Sequence, residues 1–131
     1  MIFLILSFEY PLLKNNIPYM EQVTIDGRRV DFVLMPNLEY PMFPKHIVIE
    51  ATKQDSSGSA WNKLDHKLNE LRKLSGKYPE YDECWLVLGG TKFPYSKIND
   101  LKNSADFMPR VIIVIYPHEW EEHLERLISC P

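Results

Sequence analysis

Several protein classes are excluded by what this sequence has little of. Its two cysteines, Cys84 and Cys130, are too few for a disulfide framework and form no zinc-type cluster. Both adjoin apolar-rich stretches, the pattern of reduced, partly buried thiols in an intracellular protein. Glycine is scarce as well, and Gly89-Gly90-Thr91-Lys92 lacks the spacing of a phosphate-cradling P-loop, so it reads as a strand-to-helix turn. No apolar run approaches the roughly 18 residues of a membrane span. The opening Met1-Ile2-Phe3-Leu4-Ile5-Leu6 is short and without the positive flank of a signal peptide. A cytoplasmic chain with no membrane partner is therefore expected. An excess of either charge is also missing: 15 Lys+Arg stand against 18 Asp+Glu, a net charge of −3. This excludes a uniformly basic nucleic-acid coat protein but leaves room for a local basic face. No Ser-His-Asp or Cys-His relay can be assembled, and His118 and His123 are splayed apart on any helix.

What is present suits one compact domain over residues 1–131, since a chain of this length buries roughly two thirds of its unfolded surface. Hydrophobic residues make up 45% and aromatics 12%, too many for a disordered chain. Residues 1–18 leave two readings open: a short helix capped by Ser7 and carrying Glu9, or a strand over 2–6. Tyr19–Ile25 and Arg28–Met35 flank Asp26-Gly27, the signature of a hairpin with a type I′ turn. A two-residue turn sets Val23 opposite Val30 and Gln22 opposite Asp31. Strand alternation then puts Val30, Phe32 and Leu34 on one face, with Asp31, Val33 and Met35 on the other.

Residues 36–45 contain three prolines and read as a loop. His46–Thr52 is a third strand, apolar enough to be central. Ser59 is a candidate N-cap for a helix over Ala60–Ser75, in which Trp61, Leu64, Leu68, Leu71 and Ser75 form one stripe and Gly76 marks the end. Strands at Cys84–Leu88 and Val111–Tyr116, a weaker helix at Tyr95–Ser104 and an acidic helix at His118–Ser129 complete the order. The expected fold is α/β: a mixed central sheet, built from a β-hairpin plus third strand and then α-β-α-β-α, flanked by helices.

The informative residues are the acids inside apolar strands. A buried carboxylate is costly without a partner, so Asp31 and Glu50 each need an arginine, a backbone amide or a hard divalent cation. The residues alone leave these readings open.

The order Glu9 … Gln22 … Val30-Asp31-Phe32 … Ile47-Val48-Ile49-Glu50-Ala51-Thr52-Lys53, followed by an amphipathic helix, resembles the PD-(D/E)XK nuclease superfamily with its restriction-endonuclease-like core. Within that superfamily it looks most like the small very-short-patch-repair endonucleases. The resemblance covers roughly residues 7–90 and lies in the order of elements more than in letters. It implies a metal-dependent endonuclease that hydrolyses phosphodiester bonds, of DNA in the first place and RNA in the second, and a homodimer presenting two sites. Asp31, Glu50 and the Ala51 carbonyl would hold Mg²⁺ or Mn²⁺, a lysine would orient water or steady the pentavalent phosphate, Glu9 would add a third carboxylate and Gln22 would support Asp31.

The sequence departs from the family letters at the lysine. Thr52 occupies its place and Lys53 follows, on the other face of a regular strand. Either the strand swings Lys53 inward, or the lysine comes from the next helix, as in cap-snatching endonucleases that look similar. Lys67 lies nearer the apolar stripe than Lys63 and is the stronger helical candidate. Residues 45–77 hold seven Lys/Arg against four Asp/Glu. Arg28, Arg29, Lys63 and Lys67 are thus candidate nucleic-acid contacts. Two other readings stand beside this one: a nuclease-fold protein without turnover that binds nucleic acid or assembles with partners, and an α/β interaction module in which Asp31 and Glu50 pair with Arg28 or Arg110.

Overall fold

The computed structural model of the protein describes residues 9–39, 42–53, 60–89, 96, 99, 112–115 and 119–128. Residues 9–14 are helical (α1). Asn16 ends this helix with a left-handed φ of 56°, while Ile17 N–H donates to the Leu12 carbonyl (2.9 Å) and Asn16 N–H to that of Leu13 (3.2 Å). That is a Schellman cap, and the Leu12–Ile17 pair it brings together is buried in one core cluster. The stretch 1–18 is thus helical from Glu9 to Lys14, and both Ser7 and the alternative strand over residues 2–6 lie outside the described residues.

The hairpin strands are β1 (Tyr19–Ile25) and β2 (Arg28–Leu34), joined by Asp26 and Gly27 with φ of 54° and 78° as a type I′ turn requires. There follow β3 (Ile47–Lys53), α2 (Ala60–Lys77), β4 (Glu83–Gly89), β5 (Ile112–Ile115) and α3 (Trp120–Leu127). Between β4 and β5 only Ser96 and Asn99 of the expected Tyr95–Ser104 helix are described, and both are helical. The five strands lie in the order β1-β2-β3-β4-β5, antiparallel from β1 to β3 and parallel from β3 to β5. The protein is a mixed α/β structure, and no described helix is long and apolar enough to cross a membrane.

Helices cover both faces of the sheet. On one face Leu64, Leu68, Leu71 and Leu74 of α2 pack on Val33, Val48, Cys84, Leu86 and Leu88. On the other, Leu12, Phe43, Trp120 and Leu124 cover Phe32, Leu34, Ile47, Ile49, Trp85 and Val87. Trp85 is fully buried there and meets Trp120 edge-on, ring centroids 5.6 Å apart. Each fully buried side chain of this size contributes about 2–3 kcal/mol of transfer free energy.

Two sequence expectations need correction. The helix does not stop at Gly76: α2 continues through it to Lys77, with Tyr78 N–H still donating to the Leu74 carbonyl, and ends where Pro79 removes the next donor. Nor do Val30, Phe32 and Leu34 share a face. Val30 packs with Ile25 and Val33 on the α2 side, while Phe32 and Leu34 lie on the α3 side. The β1–β2 register is as expected on both sides of Gln22, but Gln22 itself has a φ of 51° and forms no ladder pair with Asp31. Strict alternation fails at that level, so the tip half of the hairpin turns its apolar side to α2. Ser59 and the side chain of Trp61 lie outside the described residues.

Burial pushes the Cys84 thiol up to about 12, so the reactive thiolate is almost absent from the native protein. Iodoacetamide at mildly alkaline pH, followed by peptide mapping, is expected to leave Cys84 unmodified until the chain is unfolded. Labelling at the rate of a free thiol would contradict its burial in the α2 face.

Candidate metal and phosphate site

Asp31 stands where β2 stops pairing with β3. Their ladder runs only over Phe32–Leu34 against Ile47–Ile49, and at the next level the Asp31 carboxylate takes over, accepting the Ala51 amide through Oδ2 at 2.7 Å. The side chain thus replaces a backbone carbonyl, and β2 parts from β3 without stranding a buried donor. On an extended strand the N–H and C=O of one residue leave on the same side, so the Ala51 carbonyl opens toward the same gap.

Beyond Asp31 the hairpin tip folds over α2. Asp26 meets Lys77 at 2.8 Å, and Arg28 reaches Glu50 and Glu70. The hydrogen bond from Lys77 holds the Asp26 carboxyl below its ordinary range and pushes Lys77 up. Glu50 lies on the α2 face, with only 3% of its surface exposed. Its Oε2 accepts Arg28 Nη2 at 2.9 Å and Lys67 Nζ at 3.0 Å. Lys67 comes from the middle of α2, one turn after Leu64 and beside Leu68, at the border of the apolar stripe. A lone carboxylate at this depth costs several kcal/mol, and two cations from separate elements offset that cost. Arg28 Nη1 also lies 3.1 Å from Glu70 Oε2, but its N–H is not aligned on that oxygen, and it remains a buried donor with no hydrogen-bond acceptor.

The structure therefore places the Asp31 carboxylate on the Ala51 amide and the Lys67 ammonium on the neighbouring Glu50 carboxylate, where the β2–β3 ladder ends. Thr52, two residues past Glu50 on the same strand, is buried and brings no cation to this end of β3. The side chains of Lys53 and Lys63, and the whole of Arg110, lie outside the described residues. Arg29 is exposed opposite Thr24, whereas Arg28 is turned inward onto Glu50 instead of outward to solvent. Gln22 is exposed, and Asp31 Oδ2 holds the Ala51 amide.

Glu9 is placed elsewhere. Its carboxyl is hydrogen-bonded to Glu21 of β1, and that bond, with burial and the Glu21 charge behind it, pushes its pKa up. The pair lies beside Tyr19, itself pushed up by burial and by these two acids. The Tyr19 ring packs edge-on against Phe32 on the α3 side, whereas Glu50 faces α2. Sequence reasoning missed Glu70 and Lys73 on α2 and the buried Glu83 at the start of β4. Lys67, Glu70, Leu74 and Lys77 fall three or four residues apart, and that helical spacing was the available signal.

Asp31, Glu50 and the Ala51 carbonyl are hard oxygen donors of the kind Mg²⁺ and Mn²⁺ accept. Among the described residues no three His, Cys, Asp or Glu side chains cluster in metal-binding range, and the Ala51 carbonyl is the further oxygen beside Asp31 and Glu50. Comparison with models of protein families and with characterised proteins finds no match to the chain. What the site does must be argued from its own geometry.

Two measurements test the electrostatics. Arg28→Ala is expected to cost about 2 kcal/mol in urea denaturation at neutral pH, below the full value for a buried pair because Lys67 remains; Lys67→Ala should cost about half as much. An Arg28→Ala effect no larger than that of Arg29→Ala would show that the Glu50 pair carries no stability. The Glu9 carboxyl, pushed up on folding, favours the folded state below the ordinary glutamate range, and that contribution is lost as pH rises through its folded pKa. Glu21→Gln should therefore raise the melting temperature at neutral pH and leave it nearly unchanged at acidic pH. A gain of the same size at both would remove the carboxyl pair as its cause.

Proposed function

We propose that the protein is a metal-dependent endonuclease of restriction-endonuclease-like fold, hydrolysing phosphodiester bonds of DNA, with RNA the alternative substrate. The observation that carries the reading is the convergence on Glu50-Ala51 of Asp31 from β2 and Lys67 from α2. A sheet that supplies two acids and a carbonyl at a strand divergence, with a helical lysine replacing the one absent at Thr52, contains the parts that phosphodiester hydrolysis needs. Mg²⁺ or Mn²⁺ bound there would polarise the scissile phosphate and lower the pKa of the attacking water. Asp31 and Glu50 would hold the ion, with the Ala51 carbonyl completing the donor set. Lys67, 28% exposed, can turn from Glu50 toward a phosphate oxygen and stabilise the charge that develops on it. Arg29 and Lys63 are proposed to contact the nucleic-acid backbone, and a homodimer would present two such sites to a duplex.

One observation favours a second reading. Arg28 already satisfies Glu50 from the hairpin, so the acid is neutralised without any metal. A nuclease-fold protein that binds nucleic acid without turnover would keep this pair permanently.

Cleavage of plasmid, branched DNA and single-stranded RNA with Mg²⁺ or Mn²⁺ separates the two. The nuclease reading expects cleavage that Asp31→Asn and Lys67→Met each reduce by about a hundredfold or more, with folding intact by circular dichroism. Retained binding with no cleavage by the parent protein under any of these conditions would establish the second reading in its place.

A further inference from the structure

Tyr10 and Leu13 on α1 are each 67% exposed and Leu38, in the loop after β2, is 76% exposed, the most open large apolar side chains among the described residues. They are not scattered. Tyr10 and Leu13 lie three residues apart on one side of the helix, while Pro11 and Leu12 turn inward and are buried. Leu13 also walls an open cleft of about 440 Å³ that it shares with Asn37 and Glu39, the chain neighbours of Leu38. Asn37 Nδ2 donates to the Asn16 carbonyl at 2.9 Å and pins that loop to the end of α1. Single exposed leucines are ordinary, but large apolar side chains gathered at a cleft mark a surface that meets another.

The charges beside the patch indicate which surface. Glu9 and Lys14 stand at opposite ends of α1, on either side of Tyr10 and Leu13. At the first end the Glu9 carboxyl is hydrogen-bonded to Glu21, and neither acid has a cation in ion-pair range among the described residues. At the other end the Lys14 ammonium has only an exposed contact with Glu121 at 3.3 Å, of the kind that contributes little. Antiparallel pairing of two α1 helices about a two-fold axis lays Tyr10 of each copy on Leu13 of the other and brings Lys14 to the partner's acid pair. The patch is thus complementary to itself. An anionic lipid surface would be repelled by Glu9, Glu21 and Glu39, and a partner of one sign would satisfy one end only.

We propose that the outer face of α1, with Leu38 and the cleft beside it, is the interface of a two-fold homodimer. The proposal rests on the nuclease reading only for the expectation of two copies, since association itself needs neither metal nor cleavage. α1 packs on the α3 side of the sheet and Glu50 faces α2, so this pairing leaves the Glu50 side of each copy uncovered.

The test is sedimentation velocity of the full chain over a range of concentrations, without metal or nucleic acid. A dimer that dissociates on dilution is expected. Leu13→Glu, at an exposed position that leaves the core intact, should raise the dissociation constant about thirtyfold or more with the circular dichroism spectrum unchanged. Lys14→Glu should raise it about tenfold, because the two-fold axis repeats the contact, whereas Lys73→Glu on α2 should not change it. Glu21→Lys should weaken association less, since Glu9 remains. Mixing the Lys14→Glu and Glu21→Lys chains in equal amounts should restore the parent affinity, because each reversed charge then meets its opposite across the interface. That recovery is one that a structural role within a single copy would not produce. A parent protein that stays monomeric at every concentration, or a dimer indifferent to Leu13→Glu and to the mixing, would overturn the proposal. So would a monomer that floats with phosphatidylcholine vesicles, which would assign the patch to a lipid surface. A dimer of the expected behaviour that cleaves no substrate would count against the nuclease reading only.

Discussion

A single carboxylate, buried in the middle strand of the sheet, imposes most of the local architecture. Glu50 on β3 faces the leucines of α2 and is cut off from water, so cations must be brought to it. α2 delivers one directly, because Lys67 lies beside its apolar stripe. The other, Arg28, sits two residues past the hairpin's turn and reaches Glu50 only if the hairpin leaves the plane of the sheet. Departure from the sheet requires a break in alternation, supplied by the left-handed Gln22, and a substitute for the lost ladder bond, supplied by the Asp31 side chain. The type I′ turn, the clip at Ala51 and the Asp26–Lys77 contact follow from that excursion. The same crossing buries Ile25 and Val30 against the α2 leucines, so apolar packing supports the excursion alongside the neutralisation of Glu50.

The elements were legible wherever periodicity is local. The Asp-Gly turn, the apolar runs of β3 and β4 and the leucine stripe of α2 each depend on neighbours within a few residues, so their positions were recovered to within one or two residues. The faces of β2 were not. Alternation assigns Val30 and Phe32 to one side only while the strand stays regular, and nothing local in Gln22 or Asp31 announces the positive φ that turns the strand. The site was partly legible for the same reason. Asp31 and Glu50 stand out because acids are rare in apolar strands, and Lys67 because helical geometry puts it near the stripe. The inward turn of Arg28 was legible only as one of two candidate partners for the buried acids, since it depends on where a hairpin lands on a helix many residues away. Glu9 was misplaced for a related reason: its partner Glu21 is exposed on β1 and has no sequence relation to it.

Glu50 and Glu83 show how much the surroundings add to residue type. Both are buried glutamates on adjacent parallel strands, and each has a lysine on one oxygen. Glu83 lies at the start of the β4 ladder on the α3 face, where its other oxygen accepts the Trp85 indole at 3.0 Å. Both of its oxygens are spoken for by groups that have no second task, as a structural acid requires. Glu50 receives both of its cations on one oxygen, and each cation has another neighbour or an exposed flank to turn to.

That difference makes the charge balance at Glu50 conditional. Arg28 and Lys67 against Glu50 and Glu70 sum to zero, so a divalent cation entering alone would meet two positive side chains on the oxygen it needs. On the nuclease reading a phosphate group arriving with the metal reverses this, by adding negative charge and offering the part-exposed Lys67 another acceptor. Metal and nucleic acid therefore enter together on that reading, while the buried guanidinium of Arg28 stays on Glu50.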